Sequence, residues 1–252
     1  MFPSVAAVLV VTVFAIAVQA DEHDKGDEHL AMTYRVEVLP GHALGFEKAY
    51  KEHLEMHAEA GDPMAREVWE QVAGEGVGTY FIRAAGLTWA DMDAGIQIPN
   101  DREHIMTAVS PHIENLTGHI SEYMMTLSNW PVDYGQPKML DVTVFNLDYA
   151  HIDDFFYGMQ KIHQMIVEHD IPYAYAWSKV VVGADGVQLS LSMPRMSWSE
   201  FKEPSPSLWE VAAQVMGKRE ADDLRATIGA AIASEKNFVV VYREDLSYVP
   251  EK

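Results

Sequence analysis

The chain has 252 residues, a formal net charge of −20 and no cysteine. The lack of cysteine excludes disulfides, thiolate metal sites, cysteine nucleophiles and a lipoprotein anchor, so the fold must rest on buried apolar surface. The acidic field repels phosphate backbones and anionic lipid, which argues against nucleic-acid or membrane-surface partners and suits a soluble protein with cationic or neutral small-molecule ligands.

Val5 to Val18 is apolar except for Thr12, and Val18-Gln19-Ala20 has the small-x-small pattern of a cleavage site. Residues 1–20 therefore read as a secretory signal peptide. The run is shorter than the roughly 20 residues a membrane span needs. Export to a periplasm or the cell exterior is the expectation, with no membrane segment after cleavage. The mature chain would begin Asp21-Glu22-His23. A free amine, two amides and the His23 imidazole can surround Cu(II) or Ni(II) in a plane. Residues 21–32 otherwise read as a flexible acidic tail with histidines.

Residues 33–128 form a first structural half. Thr33 to Leu39 alternates like a strand and Pro40-Gly41 ends it. Ala43 to Ala60 is an amphipathic helix, stopped by Gly61-Asp62-Pro63. Ala65 to Ala73 and Val77 to Ala84 form a hairpin around Gly74-Glu75-Gly76. A short helix is expected near Thr88. Ser110-Pro111 has the chemistry of a helix start and predicts a helix to about Ile120. Glu122 to Leu127 is then a strand.

Residues 129–138 hold two prolines and a glycine and form a linker. The second half, 139–252, repeats the order. Strands are expected over Met139–Leu147, Tyr173–Val182, Val187–Ser192 and Asn237–Tyr242. Helices are expected over His151–Glu168, Leu208–Met216 and Glu220–Ser234.

The two halves say nearly the same thing. Phe46 and Phe155, Gly74 and Gly183, and Trp89 and Trp198 are each 109 residues apart, which marks a duplicated domain. Each half reads β-α-β-β-α-β. The expected fold class is α+β: two ferredoxin-like halves whose sheets pack into one closed barrel. Tyr34-Arg35-Val36-Glu37-Val38-Leu39-Pro40-Gly41, followed by Phe46-Glu47-Lys48-Ala49-Tyr50, resembles the opening of dimeric α/β-barrel proteins. That group includes antibiotic-biosynthesis monooxygenase, EthD and NIPSNAP-type domains, and the haem-binding chlorite dismutases and dye-decolourising peroxidases. The resemblance implies a pocket between sheet and helices. It carries over no catalytic residue.

The chemistry is expected on the first helix. Phe46, Ala49, Tyr50, His53, Met56 and His57 share one face at about 100° per residue. His53 and His57, one turn apart, can grip one metal ion. Ile105, Val109, His112, Leu116 and His119 also align at helical spacing, so the four histidines 53, 57, 112 and 119 are expected to converge. The duplication supplies a control. His53 corresponds to Ile162 and His57 to Ile166, while a drifting offset puts His112 and His119 near Thr227 and Ser234. The second half has no histidine at these places. His104 is a reserve candidate, and His163 reads as structural.

Imidazoles without thiolates suit Zn, Cu, Ni or haem iron. Haem or a histidine-bound metal such as Cu or Zn is the expected cofactor, with His53, His57 and His112 as ligands or proton carriers and with Tyr50 and His119 beside the cofactor. The expected function is an exported small-molecule oxygenase or peroxidase. The alternative is a non-catalytic exported protein that binds an apolar ligand, haem or a metal.

Overall fold

A computed structural model describes residues 29–94, 98–131 and 134–250. The signal peptide and His23 lie outside the described residues.

The first half runs β1 (Leu30–Val38), α1 (Ala43–Glu59), β2 (Glu67–Ala73), β3 (Tyr80–Leu87), α2 (Trp89–Ala94), α3 (Asp101–His104) and β4 (Ile113–Tyr123). The second runs β5 (Met139–Leu147), α4 (Ile152–Glu168), β6 (Ala176–Val182), β7 (Gln188–Arg195), α5 (Leu208–Met216), α6 (Lys218–Ala230) and β8 (Ile232–Tyr242). All pairings are antiparallel, and the sheet closes as β1-β3-β2-β8-β5-β7-β6-β4. Each half contributes four consecutive strands. The halves meet at β2–β8 and β4–β6. Closure leaves no exposed sheet edge, which removes the usual template for edge-to-edge association.

The sheet has apolar chemistry on both faces. Trp69, Val142 and Val240 fill part of the barrel interior, where Phe81 stacks on Phe238 with ring centroids 5.4 Å apart. Outside the barrel, Phe46 of α1 packs on Val36, Val68 and Tyr80, while Phe155 of α4 packs on Leu147 and Leu189. Both phenylalanines are buried. Removing such a ring from water contributes on the order of 2–3 kcal/mol. Each half also sends a short helical turn across to the other. Leu127, just after β4, is buried in the second-half core, and Leu246, just after β8, is buried in the first-half core.

One expected helix is overturned and another is shorter than expected. Ser110-Pro111 does not start a helix; it forms the last 3-10 turn before β4, and Ile113–Tyr123 is a strand held between β1 and β6. The helical piece comes earlier, as α3 continued by a π-turn over Ile105–Val109. The helix expected to reach Ser234 ends at Ala230, and Ile232 already pairs in β8. β4 does alternate, with Leu116, Gly118 and Ile120 on one face and Asn115, Thr117, His119 and Ser121 on the other, but Ser110-Pro111 before it has the chemistry of a helix start and competes with that signal. β8 carries Ser234, Glu235, Lys236 and Asn237 near its start, polar on both faces, so that stretch shows no alternation. With β4 matched to β8, the offset is 119 residues, which puts His112 opposite Ala231 and His119 opposite Phe238 rather than Thr227 and Ser234.

Candidate metal centre

The site is built at the C-terminal end of α1. The helix ends with Gly61 in the left-handed region at φ +69°. The Asp62 N–H donates to the His57 carbonyl at 3.0 Å, and the Gly61 N–H donates to the Ala58 carbonyl at 3.1 Å. This is a Schellman ending, which a residue with a Cβ makes only under strain. It turns the chain back along the helix and sets the Asp62 side chain under His57. His57 Nδ1–H then donates to Asp62 Oδ2 at 2.7 Å. Asp62 also accepts from the Met64 N–H at 2.9 Å and from the Arg66 guanidinium. Burial alone would raise the Asp62 pKa. The bonds from Met64 and His57 and the Arg66 charge outweigh it and hold the carboxyl below its ordinary range. Asp62 is therefore an anion, and its bond to Nδ1 leaves Nε2 as the His57 atom whose lone pair would serve a metal ion.

That lone pair meets two other donor atoms. His57 Nε2 lies 3.0 Å from His53 Nε2 and 3.0 Å from Asp101 Oδ1. The third side of the triangle, His53 Nε2 to Asp101 Oδ1, is 3.4 Å. His53 and His57 are buried. Burial, reinforced by the charge of His57, pushes His53 down to about 4 against the pull of Asp101, so it is a neutral imidazole at neutral pH. Two lone pairs and a carboxylate oxygen thus converge on one point. Ligands at about 2.0–2.2 Å from one metal ion stand about 3.0–3.4 Å apart at right-angle to tetrahedral geometry. Among the described residues this is the one group of three such side chains placed to hold a metal ion.

Asp101 arrives from the loop before α3. Asn100 adopts the left-handed conformation at φ +62°, a region asparagine tolerates better than most residues. Its carbonyl accepts the His104 N–H at 2.9 Å, which starts the short helix with Asp101 facing α1. His104, one turn on, stacks on His53 at 5.6 Å with 15° between ring planes. The Nδ1 atoms of His53 and His104 are buried without a hydrogen-bond partner among the described residues.

The triangle opens into a cavity of about 450 Å³ between α1, residues 91–92 and 101–113, and the outer face of β1, β3 and β4. Its walls are mostly apolar, with Met32, Val36, Phe46, Ile82, Ile105 and Val109 among them. Tyr50 and Arg66 also line it. Tyr50 is buried, stacks on Phe46 at 5.7 Å, and its hydroxyl makes no hydrogen bond to another described residue. Burial raises its pKa well above the ordinary tyrosine value, so it stays a phenol.

The other expected site residues lie elsewhere. His112 sits at the N-terminal end of α1, with its Nδ1 3.1 Å from His42 Nδ1, and does not reach the cavity. Its ring packs so tightly on Gly45 that a Cβ there would come within 2.5 Å. His119 pairs with Thr33 in β4, while the neighbouring Tyr34 faces the cavity. Strand alternation puts His119 on the opposite face, inside the barrel, where Arg83 also pairs with Thr33. Burial and the Arg83 charge lower its pKa. The convergence of four histidines is thus replaced by two histidines and Asp101. His163 donates to or accepts from the Tyr175 hydroxyl at 2.8 Å, a structural role. Asp101 gave no sequence signal beyond the left-handed Asn before it, and Asp62 was read only as part of a helix stop.

No family model and no curated protein matches the sequence. Solved structures do match in shape. A provisionally assigned monooxygenase from Lactobacillus acidophilus NCFM superposes with a TM-score of 0.51 at 8% identity, over 88% of this chain and 97% of that one. Another, from Fusobacterium nucleatum, gives 0.53 at 12% identity over 86% and 93%. Chlorite dismutase from Candidatus Nitrospira defluvii, in complex with imidazole, gives 0.51 at 10% identity over 90% and 98%. The chain has the dimeric α/β-barrel fold. In this barrel both sheets come from a single chain, and the two helical faces have diverged. Ile166 stands where His57 stands in the first half, buried with Met165, Tyr175 and Ala212.

Haem, which the resemblance to this fold group suggested, does not fit the cavity's donor set. A porphyrin occupies four coplanar positions and leaves its iron two sites on opposite sides. His53, His57 and Asp101 instead share one triangular face. The set suits a non-haem first-row metal ion.

Proposed function

We propose that the protein is an exported, non-haem metal-dependent oxygenase acting on small apolar molecules. The observation that carries this reading is the triangle of His53 Nε2, His57 Nε2 and Asp101 Oδ1, with sides of 3.0, 3.0 and 3.4 Å, at the wall of an apolar cavity. Two histidines and one carboxylate on a single face, with the remaining positions open, are the donor set of non-haem iron(II) oxygenases. The likeness in fold to the monooxygenase-assigned barrels supports the reading by analogy.

The roles of the side chains follow from their environments. His53 and His57 bind as neutral imidazoles, and Asp101 supplies the anionic ligand. Asp62 holds His57 in the binding tautomer and orients its ring. When bound, a redox-active first-row metal supplies dioxygen activation. The apolar walls exclude bulk water and seat the substrate's hydrocarbon beside the open face. Export follows from residues 1–20, and amino-terminal sequencing of protein recovered from outside the cytoplasm should read Asp21-Glu22-His23.

The test is metal content joined to oxygen uptake. Protein purified without oxygen and supplied with Fe(II) is expected to hold one ion per chain and to consume O2 slowly when loaded. His53→Ala and His57→Ala should hold none. Equal metal content in wild type and both variants would falsify the metal centre. Metal binding without oxygen consumption, with any apolar additive, would leave a sequestering protein as the correct reading.

A further inference from the structure

We infer that the cavity selects apolar molecules carrying one oxyanion, a carboxylate or a phenolate, held between the Tyr50 hydroxyl and the Arg66 guanidinium. This deepens the proposed function and rests on its reading of the cavity as the substrate site.

Two observations carry it. First, Tyr50 is 3% exposed and lines the cavity, and its hydroxyl makes no hydrogen bond to another described residue. A buried phenol without an acceptor is unfavourable unless a ligand supplies one. Second, Arg66 is tied on one side only. One terminal nitrogen donates to Asp62 and to the Met64 carbonyl, and no other hydrogen bond of its guanidinium involves a described residue. Arg66 lines the same cavity as Tyr50 and His53. Five N–H donors in a planar fork match a carboxylate.

A neutral apolar ligand would leave both the phenol and the free side of the fork without a partner.

The test compares matched probes on the full chain: 2-naphthoate against 2-naphthamide, and 4-nitrophenolate against nitrobenzene. Binding is followed by fluorescence or absorbance, with metal content measured in the same samples. At least one anion should bind about tenfold more tightly than its neutral partner, the value of one charge-assisted hydrogen bond. The pair that shows it identifies carboxylate or phenolate. Arg66→Gln should abolish the preference and Arg66→Lys should keep part of it. Tyr50→Phe, which removes one oxygen from a buried ring, should weaken the anion about tenfold and leave the neutral probe unchanged. Equal binding of both anions and their neutral partners, or an anion preference untouched in Arg66→Gln and Tyr50→Phe, overturns the inference. The two readings fail separately. A metal-free wild type with an Arg66-dependent preference sinks the metal centre alone, while normal metal content without the preference sinks this inference alone.

Discussion

His57 donates through Nδ1 to Asp62 at 2.7 Å, across the end of its own helix. The bond decides which ring nitrogen is free, and the free one points at His53 and Asp101. A residue that touches no ligand therefore sets the chemistry of one that does. Asp62→Asn is expected to weaken metal binding about 10- to 100-fold, the usual cost of losing an outer carboxylate. Competition with a chromophoric chelator would measure it. Unchanged affinity would show that His57 keeps its tautomer without Asp62.

Gly61 makes that bond possible. Its φ of +69° is strained for any residue with a Cβ. Gly61→Ala should cost about 1–2 kcal/mol of stability. It should also weaken metal binding, because Asp62 would be displaced. Nothing lies within 4 Å of the added Cβ, so the effect would come from backbone conformation and not from a clash. Denaturant melts with and without metal separate the two consequences.

The second half already contains the control for the two histidines. Ile162 and Ile166 occupy the matching helical positions, and Ile166 is buried there. The variant His53→Ile should fold, because a buried imidazole lacking a partner on Nδ1 is replaced by apolar surface. Its melting temperature without metal should equal or exceed that of the metal-free wild type, and metal should no longer raise it. A failure to fold would mean that the imidazole is required by the core itself.

Acid should loosen the join between the halves. Arg243, at the end of β8, donates to Glu47 of α1 at 2.7 Å, to Glu70 of β2 at 2.6 Å and to Asp245 at 2.8 Å. Hydrogen bonds from Arg243 lower the pKa of both Glu47 and Asp245. A carboxyl with a depressed folded-state pKa stabilises above its unfolded value, about 4, and loses that contribution as pH falls through the folded value. Stability should therefore drop below about pH 4 more steeply in wild type than in Arg243→Met. Urea unfolding at a series of pH values tests this. Parallel curves would show that the clasp is electrostatically idle.

Much of the architecture was legible because packing agreed with pattern. Phe46 and Phe155 head two helices with clear apolar stripes, and both are core residues. β4 alternates as a strand does, but Ser110-Pro111 just before it carries the chemistry of a helix start. Ile105, Val109, His112, Leu116 and His119 share a helical period by coincidence, since the helical path ends at His112. For the same reason the site was half legible. His53 and His57 stand on one long helix, whose geometry spacing alone defines. Asp101 depends on a left-handed turn and on how a short segment docks against α1, and neither is written in local periodicity.

The exchange of Leu127 and Leu246 between the cores has a consequence for how such a chain can evolve. A half cut free would expose the groove its partner's leucine fills, so neither could be shed or inherited alone. Two identical subunits would also be bound to change together, since one gene writes both. Joined in a single polypeptide, they can specialise. One copy carries buried imidazoles at His53 and His57, while the other fills the same positions with Ile162 and Ile166 and remains indispensable as the wall that completes its neighbour.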